Sequence, residues 1–214
     1  MKPCDLVIFD LDGTLVDSAP DIAWALNATL QEEGIAPLPL DVVTGLVGDG
    51  AAKLIQRATA GTTPGRDPAA LLARFLDHYA RHLSVETRLY PGVADLLQSL
   101  SRARVAVALL TNKPRGLAQA LLDALSIAHH FAAVVGDGDE FPRKPDPAGA
   151  RAIIARVGVT AARTVMVGDG LPDVRLSHAV PCAGVAALWG YVSAARLRAE
   201  NPTYLARSAH EAER

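Results

Sequence analysis

The sequence predicts an α/β fold, a parallel sheet with helices on both faces, interrupted near its start by an all-helical insertion. Three observations predict it. Short apolar runs such as Leu6–Phe9 and Thr164–Val167 stop abruptly in polar, glycine-bearing sequence, as strands buried on both faces do. Between the runs, apolar residues recur at helical spacing. From about Ala19 to Leu83 the alternation is broken by several helical patterns with no strand between them.

In chain order, strands are expected at Leu6–Phe9, Val105–Leu110, Ala132–Val135 and Thr164–Val167, with weaker ones at Ala183–Ala186 and Pro202–Leu205. Helical stripes run through Val93, Leu96, Leu97 and Leu100, through Leu117, Leu121, Leu122 and Leu125, and through Ala150, Ile153, Ile154 and Val157. Strands alternating with helices imply βαβ units. In such sheets ligands collect at the carboxyl ends of the strands. Asp10 and Asp12, Thr111 and Asn112, and Asp169 all stand at such ends, so segments far apart in sequence are expected to meet on one edge.

Within the insertion, Ser18 and Asp21 read as a capping box with Pro20 in the first turn. Ile22, Leu26 and Leu30 continue that helix to Gly34. Val42–Leu46, Ala51–Ala58 and Ala69–Leu83 are the further helices, separated by Gly34–Pro39 and Gly61–Gly65. The expected division is residues 1–17 and 84–214 as one α/β core and residues 18–83 as a second, smaller domain, with hinges near Asp17 and Tyr90-Pro91-Gly92.

Composition narrows the class. The 214 residues are 50% hydrophobic and 21% charged, enough to bury a substantial core, and the net charge is −2. No basic excess or Lys/Arg block marks a nucleic-acid partner, and no stretch approaches a membrane span. The segment Met1–Leu6 carries no apolar signal core. Cys4 and Cys182, far apart, form no disulfide framework, so a cytoplasmic setting is expected. Sequence leaves monomer and homodimer both open.

Asp10-Leu11-Asp12-Gly13-Thr14 is the informative segment. Carboxylates at i and i+2 leave an extended chain on one side and can address one site. Taken alone, it also fits an ordinary Asp/Gly turn at a strand end. With Thr111-Asn112, Lys144-Pro145, and Gly168-Asp169 followed by Asp173, it forms an ordered set. Together these resemble the four motifs of the haloacid dehalogenase superfamily of phosphohydrolases, over nearly the whole chain and including a helical cap after the first motif.

The resemblance implies a Rossmann-like core and a set of roles. Asp10 is the nucleophile that forms an aspartyl-phosphate. Asp12 protonates the leaving alkoxide and then activates water. Thr111 and Asn112 bind the phosphoryl oxygens, and Lys144 neutralises charge on phosphate and nucleophile. Mg²⁺ is held by the Asp10 carboxylate, the Asp12 backbone carbonyl and the Asp169 carboxylate. Asp173 supports, orienting Lys144 or a metal-bound water. Pro145 is expected to stiffen the lysine's loop, with Asp146 and Pro147 as the N-cap and first position of the following helix, whereas Lys113, Arg115 and Arg143 read as surface cations.

Asp12 argues against the dehalogenase and phosphonatase branches, which lack a carboxylate there. Asp17–Asp21, Gly45–Ala51, Thr111–Pro114 and Trp189-Gly190-Tyr191 are most similar to the phosphoglycolate phosphatase group, implying 2-phosphoglycolate, a small phosphorylated metabolite, as substrate. In the cap, Gly48 and Asp49 before a helix, with Lys53 nearby, are candidate substrate contacts; Asp49 as a plain N-cap is the competing assignment. Trp24 either lines the entrance or packs between domains. Gly170 and His178–Pro181 depart from the usual pattern without touching a proposed catalytic group. Pyrophosphatase, sugar-phosphate phosphatase and phosphosugar mutase remain alternatives on the same core. A catalytically silent regulator and a phospho-receiver domain are disfavoured, by the intact aspartate–lysine set and by the insertion respectively.

Overall fold

The computed structural model describes residues 4–61 and 67–212. Strand β1 (Leu6–Phe9) is followed by the two-residue β2 (Val16–Asp17) and four helices: α1 (Ala19–Glu32), α2 (Leu40–Thr44), α3 (Ala51–Ala58) and α4 (Pro68–Arg81). The chain returns through β3 (Arg88–Leu89). It then alternates through α5 (Val93–Arg102), β4 (Ala106–Pro114), α6 (Arg115–Ala124), β5 (Phe131–Asp137), α7 (Ala148–Val157), β6 (Thr164–Gly168), α8 (Leu171–Ala179), β7 (Ala183–Ala187), α9 (Ala194–Ala199), β8 (Tyr204–Ala206) and α10 (Ala209–Ala212). The linker expected at Gly61–Gly65 lies largely outside the described residues, as does the start of the chain, Met1–Pro3. No helix among the described residues is long and apolar enough to cross a membrane.

Six strands form one parallel sheet in the order β5-β4-β1-β6-β7-β8. β1 lies in the middle, with Phe9 level with Leu109 of β4 and Val167 of β6. The residues that follow these three positions therefore emerge side by side. Connections run outward in opposite directions from β1, which makes its carboxyl end a topological switch point, where a crevice opens.

Period-two alternation divides the sheet's side chains between two apolar layers. Val7, Phe9, Val107, Leu109, Val165 and Val167 belong to one, and Leu6, Ile8, Ala108, Leu110 and Met166 to the other. The first layer continues into the inserted helices through Ile22, Leu26, Leu54, Leu71 and Phe75. That shared apolar layer seats the helices over the sheet's carboxyl edge.

Two expectations at the insertion are corrected. Ser18 is the N-cap of α1 but makes no side-chain cap; its hydroxyl donates to Asp12 instead. Asp21, fully buried, accepts from the Glu86 and Thr87 amides and the Thr87 hydroxyl. It ties the first inserted helix to the returning segment, so its partners lie 65 and 66 residues away rather than in its own first turn. β2 and β3 pair antiparallel, Val16 with Leu89 and Asp17 with Arg88, joining the exit and return strands.

Candidate active site

Asp10 leaves the end of β1, and the next turn is unusually tight. The amides of Leu15 and Val16 both donate to the Leu11 carbonyl, and Gly13 donates back to Val16. Gly13 has φ +81°, and a Cβ there would stand 2.3 Å from an Asp169 carboxylate oxygen. Only glycine fits both the left-handed backbone and the approach. Thr14 locks the contact: its hydroxyl donates to Asp169 Oδ1 at 2.9 Å and accepts from the Asp169 amide at 3.0 Å. The first and last strand ends of the set are thereby stitched together.

Asp10, Asp169 and Asp173 are buried, and each offers a carboxylate oxygen within 4.8 Å of the others. Lys144 Nζ sits among them, 2.8 Å from Asp10 Oδ1 and 2.7 Å from Asp173 Oδ1, with its side chain 1% exposed. Burial by itself would depress the ammonium's pKa, but the Asp10 and Asp173 carboxylates outweigh it and raise it. Burial, opposed by Lys144, pushes Asp173 up to about 6. Asp173 also accepts from the Gly170 amide at the start of α8; that helix begins at Leu171, later than a shared turn with Asp169 would need.

Asp169 lacks a cationic partner among the described residues. Burial, then the charges of Asp10 and Asp173, push its carboxyl up to about 8, against an ordinary value near 4. Buried carboxylate oxygens with an excess of negative charge are the donor set of a hard divalent cation. The folded, metal-free protein holds a proton on Asp169 that the unfolded chain sheds between about pH 4 and 8, so this group costs stability as pH rises through that window. A bound cation removes the cost by keeping the carboxylate ionised. The gain in melting temperature on adding a divalent cation to metal-free protein should therefore be larger near about pH 8 than near about pH 5.5. Equal gains by scanning fluorimetry at both would contradict a metal on this group.

Asp10 and Asp12 both line a cavity of about 490 Å³ between the sheet edge and the inserted helices. Thr111, Asn112 and Lys113 share its floor, Gly48, Gly50 and Ala51 one side, and Leu54, Phe75 and Tyr79 the roof. Asn112 is heavily engaged. Its side-chain amide donates to the carbonyls of Gly48 and Lys144 and accepts from the Lys144 amide at 2.9 Å. It thus fixes the loop that carries Lys144 and touches the loop between α2 and α3, and its side-chain donors are not spare for a phosphoryl group. Thr111 Oγ1 accepts from the Lys113 amide and keeps its own proton to donate.

Several expectations about individual residues change. Lys113, read as a surface cation, is 5% exposed; its Nζ donates to Asp12 Oδ1 at 2.9 Å and Oδ2 at 3.2 Å, and to the Tyr79 hydroxyl. Its adjacency to Thr111-Asn112 is the one signal the sequence holds for it. Asp49 is not a cap: Gly50 holds that position in α3, and Asp49 pairs with Arg57. Lys53 is exposed and does not line the cavity, nor does Asp49. Trp24 is 46% exposed and stacks on His82 at 3.9 Å, away from the cavity. Pro147, not Asp146, caps α7, although Asp146 accepts from the Ala148 amide. Arg143 is an exposed cation, as expected, paired with Asp137, and the half-buried Arg115 donates to the Val134 carbonyl.

Tyr191, in sequence only one residue of a local Trp-Gly-Tyr pattern, bridges the site. Its amide donates to Asp169 at 2.7 Å, and its hydroxyl accepts from the amides of Ser18 and Ala19. Trp189 donates its indole N–H to the Thr14 carbonyl. The segment after β7 therefore holds both the Asp169 carboxylate and the entry into α1.

A family model for haloacid dehalogenase-like hydrolases matches residues 4–179, and the chain belongs to that family. Among curated proteins, it is 44% identical to a phosphoglycolate phosphatase of Rhodospirillum rubrum, over 86% of this chain and 80% of that protein. It is 42% identical to one of Agrobacterium fabrum, over 84% and 79%. Among solved structures it resembles one from Haemophilus somnus 129pt described as a predicted phosphoglycolate phosphatase, with TM-score 0.92, 28% identity, and coverage of 99% and 97%.

Proposed function

We propose that this phosphatase hydrolyses 2-phosphoglycolate to glycolate and phosphate, with Mg²⁺ as its metal and Asp10 as its nucleophile. The observation that supports the mechanism is that two carboxylates on one cavity have different partners. Asp10 is tied to Lys144, and Asp12 is tied to Ser18 and Lys113. The substrate rests on the relatives' shared activity.

A phosphate monoester is anionic and repels an anionic nucleophile, so charge must be cancelled where the two meet. Lys144 does part of this, holding Asp10 from beneath the cavity floor. A divalent cation held by Asp10, Asp169 and the Asp12 carbonyl would supply the rest of the neutralisation. Thr111 donates its hydroxyl proton to a phosphoryl oxygen. The Asp10 carboxylate attacks phosphorus, forming the aspartyl-phosphate as the ester P–O bond breaks, and Asp12 gives its proton to the departing glycolate oxygen. Asp12 then takes a proton from water as that water attacks phosphorus and expels Asp10. Asp173 orients Lys144 throughout, and Asn112 holds its loop.

Residues 18–83 act as a cap over this chemistry: their helices roof the cavity, and Gly48 borders it. Both cysteines are free, which fits a cytoplasmic enzyme. Phosphate release from a panel of 2-phosphoglycolate, sugar phosphates, pyrophosphate and other small esters, with Mg²⁺ and with EDTA, tests the assignment. The expected result is a marked preference for 2-phosphoglycolate, abolished by EDTA and restored by Mg²⁺. Equal turnover across the panel would refute the substrate, and undiminished turnover in EDTA would refute the metal.

A further inference from the structure

The mechanism above uses Lys113 only as a partner of Asp12, although burying a lysine is costly unless it is paired. Among the described residues lining the cavity, it is the one cation. Lys53 is exposed on α3, Arg143 is held by Asp137, and Lys144 lies beneath the floor. The remaining roof is apolar, with Ile22, Leu54, Phe75 and Leu76 facing the same space.

The geometry of the small substrate decides where a second anionic group must lie. If phosphorus meets Asp10 and the ester oxygen meets Asp12, one methylene separates that oxygen from the carboxylate carbon. Whatever binds the carboxylate must therefore stand next to Asp12. Lys113 Nζ stands 2.9 Å from Asp12 Oδ1. The ammonium has three protons, and the two Asp12 carboxylate oxygens and the Tyr79 hydroxyl accept them; a substrate carboxylate would take the place of the longest of these contacts, that to Asp12 Oδ2 at 3.2 Å. The Tyr79 hydroxyl accepts from Lys113 and keeps a proton to donate. It reaches the site from α4, so this pair joins core and inserted helices over the leaving group.

We infer that Lys113, with the Tyr79 hydroxyl beside it, binds the carboxylate of the leaving group and sets the enzyme's preference for esters that carry one. The inference rests on the 2-phosphoglycolate assignment. An alternative task is purely local: Lys113 as counter-ion and orienter of Asp12, serving every substrate equally.

The test compares kcat/KM for 2-phosphoglycolate with that for ethylene glycol monophosphate, in which a hydroxymethyl replaces the carboxylate, using the Mg²⁺-loaded full chain. Lys113→Met should lose about 100-fold more on 2-phosphoglycolate than on the neutral analogue, with much of the difference in KM. Tyr79→Phe should show the same bias at about tenfold, and it carries the comparison should Lys113→Met fail to fold. Equal losses on both esters would overturn the inference and assign Lys113 to Asp12 alone. A parent enzyme with no preference between the two esters would overturn the substrate assignment and the inference with it. A parent preference combined with unbiased variants would remove only the inference.

Discussion

Replacing Asp10 with asparagine is expected to reduce phosphate release by about 10⁴-fold or more, while the far-UV spectrum and melting temperature stay close to the parent's. Asparagine keeps the shape and one oxygen but is no nucleophile towards phosphorus. The fold should survive because Lys144 retains Asp173 at 2.7 Å, so no buried ammonium is left alone. The Leu11 amide, which donates to Asp10 Oδ1 at 2.7 Å, can use the amide oxygen instead. Both kinetics and folding must be read: retained turnover would remove Asp10 from the chemistry, whereas an unfolded variant would show that the account of the Lys144–Asp173 pair is wrong.

Lys144→Met is expected to act on both stability and rate. The side chain is essentially inaccessible, between Asp10 and Asp173 and close to the already strained charge balance of Asp169. Removing it leaves three buried carboxylates with no cation of their own, a loss of about 3–5 kcal/mol near neutral pH. Without Lys144 the carboxylates hold protons more strongly in the folded state than in the unfolded chain. The deficit should therefore grow as pH rises through their folded pKa values and shrink on acidification. Urea melts at about pH 5 and about pH 7.5 read this directly; a deficit independent of pH would mean that the lysine acts through packing alone. Turnover should fall about 10³-fold, the scale for losing one charge-stabilising donor, even under conditions where the variant is folded.

Much of this site is legible in the sequence because the sheet's logic is local. Leu6–Phe9 reads as a strand because both of its faces are buried, and the residue after such a strand must surface at the edge. Asp10, Thr111 and Asp169 follow from that rule, whereas Lys144, in the loop between β5 and α7, is legible only through the ordered motif set. The limits of β4 are less legible. The apolar run stops at Leu110, yet the strand continues to Pro114, whose partner is Asp137. Asn112 and Lys113 are polar residues in buried positions, kept there by partners that no window around them contains.

The same reason hides the other contacts. Lys113 is buried because Asp12 lies 101 residues before it and Tyr79 34 before it. Tyr79 continues the buried stripe of Leu71 and Phe75 on α4, so its inward direction was readable but its partner was not. Ser18 and Asp21 match a local capping pattern, but tertiary partners take their side chains, a competition that spacing cannot decide. β2 and β3, two residues each, are too short to show any period. Tyr191 reaches the start of α1 from 173 residues away.

The central claim is that Asp10 becomes phosphorylated during turnover, and trapping that adduct tests it most directly. Asp12→Asn should slow hydrolysis of the acyl phosphate more than its formation from an ester with a good leaving group, because such an ester needs no proton from residue 12. Acid quenching that variant after mixing with such an ester and Mg²⁺, followed by peptide mass spectrometry, should find one phosphoryl group on the peptide containing Asp10, and none in the Asp10→Asn, Asp12→Asn double variant. A phosphoryl group on another residue, or turnover by Asp12→Asn with none on any peptide, would contradict the account.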